Sequence, residues 1–176
     1  MSVNVSASDL REERLVKIVA SALLKRGLPP EALTIEITET AMMTDPELAR
    51  TVMQALHDLG VQLSVDDYGT GYSSLEYLLK LPINEIKLDR AFSVDLPREL
   101  RATAIVRSTV DLTHALGLRM VAEGVEDEET LLILRELDCD LVQGWHLGRP
   151  MSASAFERLI PLGLPLDDRA SVVSGP

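Results

Sequence analysis

The sequence of 176 residues holds one cysteine, Cys139, which excludes an internal disulfide and, with no cluster of Cys and His, a thiolate zinc site. It has no run of about 18 uncharged apolar residues, so no membrane-spanning helix is expected. The first residues, MSVNVSASDLREER, lack the apolar stretch of a signal peptide. Basic residues are scarce. Seventeen Lys and Arg stand against 28 Asp and Glu, a net charge of −11 that repels a phosphate backbone and excludes nonspecific binding to a nucleic-acid polymer. An anionic ligand would need cations to mediate. Gly69 and Gly71 lack the third glycine of a dinucleotide fingerprint, and Lys87 has no Walker context, so neither points to a nucleotide cofactor. What is present is ordinary for a globular protein: 46% hydrophobic and 26% charged residues, enough for one sizeable core and too few residues for two domains. The chain reads as soluble and cytoplasmic.

Short β-branched runs alternate with segments of helical period, the pattern of parallel strands joined by helical crossovers. Strands are expected at Val3–Val5, Leu33–Thr38, Val61–Asp66, Glu85–Leu88, Leu118–Ala122 and Leu141–Gln143. Leu15, Ile18, Val19, Ala22 and Leu23 form the apolar stripe of a helix that stops at Gly27, before Pro29 and Pro30. Thr44-Asp45-Pro46-Glu47 has the spacing of a capping box and opens a second helix that ends before Gly60; Ser154 and Glu157 repeat the box at the last short helix. Ile105, Thr109, Leu112 and Leu116 mark the face of a helix ending at Gly117. The result is an α/β chain of six βα units, an incomplete (βα)8 barrel of the TIM type, because a closed barrel usually takes about 250 residues. Residues 1–162 form this partial domain. Residues 163–176 mix Pro, Gly, Ser and Asp without period and read as a tail open to disorder.

Each expected strand ends in a polar residue: Asn4, Glu36, Asp66 with Asp67, Lys87 with Asp89, Glu123, and Gln143. In a parallel barrel these ends converge on one mouth, where several carboxylates together are costly unless cations neutralise them. Oxygen donors of this kind suit Mg²⁺ or Mn²⁺. Asp66-Asp67 at a turning strand end lets one carboxylate bridge two ions, the arrangement that hydrolyses phosphodiesters, and Lys87 beside it would stabilise phosphoryl charge or orient a water. The following Gly69, Thr70 and Gly71 suit a loop passing close to a ligand. Singly, each feature has a plainer reading: a carboxylate after a strand is more often a helix cap, and Asn4 is as readily a turn former. His57, His114 and His146 are expected on the surface or in packing. Met42, Met43, Met53 and Met120 are expected to fill the core, and Trp145 to pack at the mouth, with stacking on a base as the alternative.

Asn4-Val5-Ser6, Glu36-Ile37-Thr38-Glu39, Asp66-Asp67-Tyr68-Gly69-Thr70-Gly71, Lys87-Leu88-Asp89, Ala122-Glu123-Gly124-Val125-Glu126 and Gln143-Gly144 occur in a recognisable order. From about residue 2 to residue 160 the sequence resembles the EAL domain family, bacterial phosphodiesterases of cyclic di-GMP. The resemblance implies a modified (βα)8 barrel, two Mg²⁺ or Mn²⁺ ions, and hydrolysis of cyclic di-GMP to linear pGpG. It implies that Asn4, Glu36 and Asp66 hold one ion, that Asp66, Asp67 and Glu123 hold the other, and that Lys87 contacts the nucleophilic water. It further implies that Glu39 anchors the glycine-rich loop, that Asp89, Glu126 and Gln143 support the site from its rim, and that the loop couples ligand binding to a homodimer contact. Tyr68 stands where Phe is commoner, and Trp145 and Leu147 where Tyr and Phe are usual. The metal-binding Glu of the family's Glu-Ala-Leu motif is expected upstream of the Asn-Val-Ser segment, so the first ion site lacks one carboxylate and this chain alone is expected to be inactive or nearly so. A barrel without two adjacent staves would also leave sheet edges unpaired and apolar faces uncovered. The alternatives are a degenerate module that binds nucleotide or a partner protein without hydrolysis, and a remnant without function.

Overall fold

Strand alternation explains how the first half of the chain separates its polar from its apolar side chains. The computed structural model describes residues 1–12, 14–71, 75–94, 96, 99–159 and 171–172. The chain forms two units, residues 1–87 with 116–118, and residues 88–115 with 119–176. In the first unit, β1 (Ser2–Val5) leads to α1 (Ala7–Leu10) and α2 (Leu15–Arg26), and β2 (Thr34–Thr38) to α3 (Glu39–Thr44) and α4 (Pro46–Asp58). Then come β3 (Gln62–Tyr68), α5 (Leu75–Leu78) and the first three residues of β4 (Glu85–Leu88). β1, β2 and β3 pair in parallel, with Asn4 opposite Glu36 and Glu36 opposite Ser64, while Val3, Ile35 and Leu63 are paired in the adjacent row. Because residues paired across strands share a face, Asn4, Glu36, Ser64 and Asp66 lie on one side, and Val5, Ile37, Leu63 and Val65 on the other. That second side is core, with α4 packed on β3 through its buried Ala49, Met53 and Leu56.

The second unit contains α6 (Arg90–Val94), α7 (Leu100–Ala115), β5 (Arg119–Ala122), α8 (Glu128–Glu136), β6 (Leu141–Val142), α9 (Ala153–Leu159) and a two-residue β7 (Ser171–Val172). β5, β6 and β7 pair in parallel. The fold class is α/β, a TIM-type series of six βα units. β7 falls within 163–176, and the rest of that stretch lies outside the described residues. Among the described residues no helix is long and apolar enough to cross a membrane.

The structure corrects several local expectations. Asp45, not Thr44, caps α4, its carboxylate accepting from Leu48 N at 3.2 Å. Pro46, in the first turn, has no N–H to bond and suits the position just after that cap. Likewise Ser152, not Ser154, accepts from Ala155 N at 3.3 Å and starts α9. The buried face of α7 is Ala102, Val106, Val110 and Thr113, one residue on from the expected Ile105 stripe. Both stripes have helical spacing, so periodicity alone does not choose between them. Of the α2 stripe, Val19 and Leu23 are buried, whereas Ala22 is exposed and Ile18 is 59% exposed. Met42, Met53 and Met120 fill the core as expected, but Met43, next to buried Met42 on α3, points to solvent.

Candidate functional site

On the polar side of the first unit, Glu36 of β2, Asp66 of β3 and Lys87 of β4 meet. Lys87 Nζ lies 2.9 Å from Glu36 Oε2 and 3.0 Å from Asp66 Oδ1. The three residues are only 4% (Lys87), 6% (Glu36) and 8% (Asp66) exposed. Two carboxylates against one ammonium leave this buried cluster net negative, and buried charge is tolerated only where it is paired. The donor set is therefore one that would accept an additional cation. Its oxygens, with the exposed Asn4 amide opposite Glu36 in register, match hard divalent ions such as Mg²⁺ and Mn²⁺.

Immediately after Asp66 the backbone turns. Asp67 has a φ of 55°, in the left-handed region where a non-glycine residue is strained. Its amide donates to Asp66 Oδ1 at 3.1 Å, and its carbonyl accepts from Thr70 N at 3.3 Å and Thr70 Oγ1 at 2.9 Å. Glu39, the buried first residue of α3, holds the loop: its Oε2 accepts from Gly69 N and Gly71 N, each at 3.2 Å. A Cβ on Gly71 would come within 2.7 Å of the Glu39 carboxyl carbon, so a side chain there would push the carboxylate off the two amides. Burial, and then the charge of Glu39, push the Tyr68 hydroxyl above its ordinary range and keep it neutral. Residues 72–74 lie outside the described residues.

The remaining expected site residues belong to the second unit. Asp89 Oδ1 accepts from Ala91 N at 2.8 Å and so caps α6, the plainer reading of that carboxylate. Glu126 pairs with Arg90 at 3.2 Å at an exposed site. Glu123, half-buried after β5, donates its amide to Leu88 O at 3.2 Å, and Gln143, after β6, donates its amide to Ala122 O at 2.8 Å. The structure thus brings Glu36, Asp66 and Lys87 together, and separately Glu39 with the glycine loop. The tripeptide Glu31-Ala32-Leu33 lies ahead of β2 with Glu31 exposed, before the strand rather than at its carboxyl end.

Trp145 overturns the packing expectation, for it is 53% exposed. The Arg149 guanidinium sits 4.9 Å and that of Arg90 6.0 Å from its ring centroid. In the sequence the ring stands out and the arginines do not; the signal available is a cation four residues after an aromatic in a segment with two glycines, Gly144-Trp145-His146-Leu147-Gly148-Arg149. His114 and His146 are bound to Asp140 at 2.8 Å and Glu128 at 2.9 Å, as surface residues.

A family model described as EAL domain matches residues 1–150. A Pseudomonas aeruginosa protein named cyclic di-GMP phosphodiesterase NbdA is 41% identical over 160 residues, covering 91% of this chain and 20% of that protein. Among solved structures, the PaMucR phosphodiesterase in complex with c-di-GMP aligns with a TM-score of 0.83 at 42% identity, covering 88% of this chain and 63% of that one. The EAL domain of Mycobacterium smegmatis DcpA aligns with a TM-score of 0.87 at 39% identity, covering 93% and 73%. The chain spans about a fifth to two fifths of the length of the curated relatives it matches.

Proposed function

Because the chain belongs to the EAL domain family, we propose that it is a cyclic di-GMP phosphodiesterase domain that hydrolyses cyclic di-GMP to linear pGpG with two divalent cations. The observation that carries this reading is the buried pairing of Lys87 with Glu36 and Asp66, a net negative oxygen cluster on adjacent parallel strands. The relatives named for this activity, and the c-di-GMP in the PaMucR complex, support the choice of substrate.

In this proposal Asn4, Glu36 and Asp66 would hold one Mg²⁺ or Mn²⁺, and Asp66, Asp67 and Glu123 would hold the other. When bound, the two ions neutralise phosphoryl charge and lower the pKa of a water. Lys87 orients the attacking water through its ammonium and stabilises charge on the phosphoryl oxygens. The water oxygen bonds to phosphorus as one P–O ester bond breaks, and the departing ribose oxygen takes up a proton. Glu39 keeps the Gly69–Gly71 loop in place beside Asp66 and Asp67, while Glu126 and Gln143 support the site from its rim and Asp89, which caps α6, supports it from behind. The loop after Asp67 is the proposed seat of a homodimer contact, and the cytoplasm is the compartment this reading implies.

The test is to incubate the purified chain with Mn²⁺ and cyclic di-GMP and to measure pGpG. Formation of pGpG, at the low rate expected of a first ion site short of one carboxylate, that is lost in Glu123→Gln with substrate binding retained supports the proposal, since Glu123 is assigned to chemistry rather than to affinity. Binding without turnover would select the non-hydrolysing nucleotide-binding module, and neither binding nor turnover would remove both.

A further inference from the structure

We propose that Trp145 and Arg149 form a nucleotide subsite, in which the indole stacks on a purine base and the guanidinium meets the neighbouring phosphate. The inference rests on the reading of a cyclic di-GMP ligand and names where one of its nucleotide moieties docks.

Trp145 is exposed although the backbone around it is tightly held. Val125 N donates to Gln143 O and His146 N to Val125 O, each at 3.0 Å, while Leu147 N and Gly148 N donate to Gly144 O at 3.1 and 3.2 Å. A Cβ on Gly144 would lie 2.1 Å from the Val125 carbonyl oxygen, so the segment presses against residue 125 in a way that only glycine permits. His146 Nε2 is fixed 2.9 Å from Glu128 Oε2. Such a segment holds the indole out in water instead of letting it fold onto the surface, and aromatic groups presented by a rigid scaffold are characteristic of binding sites.

The charges beside the ring point to the kind of ligand. Arg90 is paired with Glu126, and its stem crosses Gly124, where a Cβ would come within 2.5 Å of Arg90 Cγ. Arg149 stacks on the ring, and among the described residues no carboxylate pairs with it. In a chain of net charge −11, an unpaired guanidinium against an exposed indole is complementary to a group with a π face and a negative charge. A nucleotide has both. Gln143, which the proposed function places at the substrate's rim, is two residues from Trp145.

Trp145 is the sole tryptophan, so its emission reports on this position alone. The full chain is titrated with pGpG, so that turnover does not intervene, and with ribose 5-phosphate, which lacks a base. Saturable quenching by pGpG and none by ribose 5-phosphate is expected. By calorimetry, Trp145→Ala should weaken pGpG binding about tenfold to a hundredfold, while Trp145→Phe should retain most of the affinity and Arg149→Met should lose about tenfold. Far-UV circular dichroism confirms that each variant is folded. Wild-type binding of pGpG with unchanged emission, or Trp145→Ala binding as tightly as wild type, would overturn the subsite and leave the proposed function standing. A wild-type chain that binds neither pGpG nor cyclic di-GMP would overturn both.

Discussion

With Lys87, Glu36 and Asp66 all deeply buried, removing the ammonium would leave two carboxylates without their partner. Breaking a buried ion set by deleting one member typically costs about 3–5 kcal/mol. Lys87→Met is therefore expected to lose about that much stability in urea titrations with chelator present, and millimolar Mn²⁺ is expected to restore part of it. Equal stability of variant and wild type would contradict the cluster. Cys139 makes a second prediction. Burial pushes its thiol up to about 12 from an ordinary 9.0, and it donates to Leu141 O at 3.2 Å. A raised value means that the native thiol stays protonated, so alkylation at pH 8 should be at least about a hundredfold slower in buffer than in urea. By the same sign, stability conferred by the protonated thiol is complete below pH 9.0 and lost as the pH rises toward about 12. At this scale the sequence was legible where polarity broke an apolar run: Glu36, Asp66 and Lys87 stood out because strands are otherwise β-branched and apolar. Asp89 was less legible, since a carboxylate that caps a helix and one that faces a ligand look alike in one dimension.

Among the elements, the Gly69–Gly71 loop depends on a residue 30 positions away in sequence from Gly69. Glu39→Ala would leave the Gly69 and Gly71 amides, which belong to exposed residues, to be taken up by water, a net loss of about 0.5–1.5 kcal/mol for each bond. The expected outcome is faster hydrogen exchange at those two amides with little change at the β2 and β3 amides; unchanged exchange would show that Glu39 does not hold the loop. The six expected strands were readable to within two residues because β-branched runs and turn residues bound them, whereas β7, two residues in a stretch without period, was not expected. The caps were not readable, because Thr44 and Asp45 are both good cap residues and only the folded backbone, which ends α3 at Thr44 and turns the Asp45 carboxylate to Leu48 N, decides between them. The same holds for α7, where two stripes share one period and packing selects Val106 and Val110.

For the whole molecule, an excess of 11 negative charges that includes buried carboxylates should make stability respond to divalent cations. An ion that binds only the native chain stabilises it by about 2.7 kcal/mol at a hundredfold excess over Kd. For a chain of this size that is a rise of roughly 5–10 °C in Tm. We expect Mn²⁺ to produce such a shift, measured by calorimetry, and chelator to reverse it. A Tm indifferent to Mn²⁺, Mg²⁺ and chelator would remove the proposed metal centre.

By itself the sequence determined the α/β class, the run of six βα units and the residues at strand ends, because hydrophobic period and chain order are local properties. It also determined the family, through motifs whose order survives in one dimension. Tertiary structure alone decided that Lys87 closes on Glu36 and Asp66, that Glu39 reaches back to Gly69 and Gly71, and that Trp145 stands in water beside Arg149. Those outcomes depend on strand register and on close backbone approach at particular glycines, quantities set by packing between residues far apart in the chain.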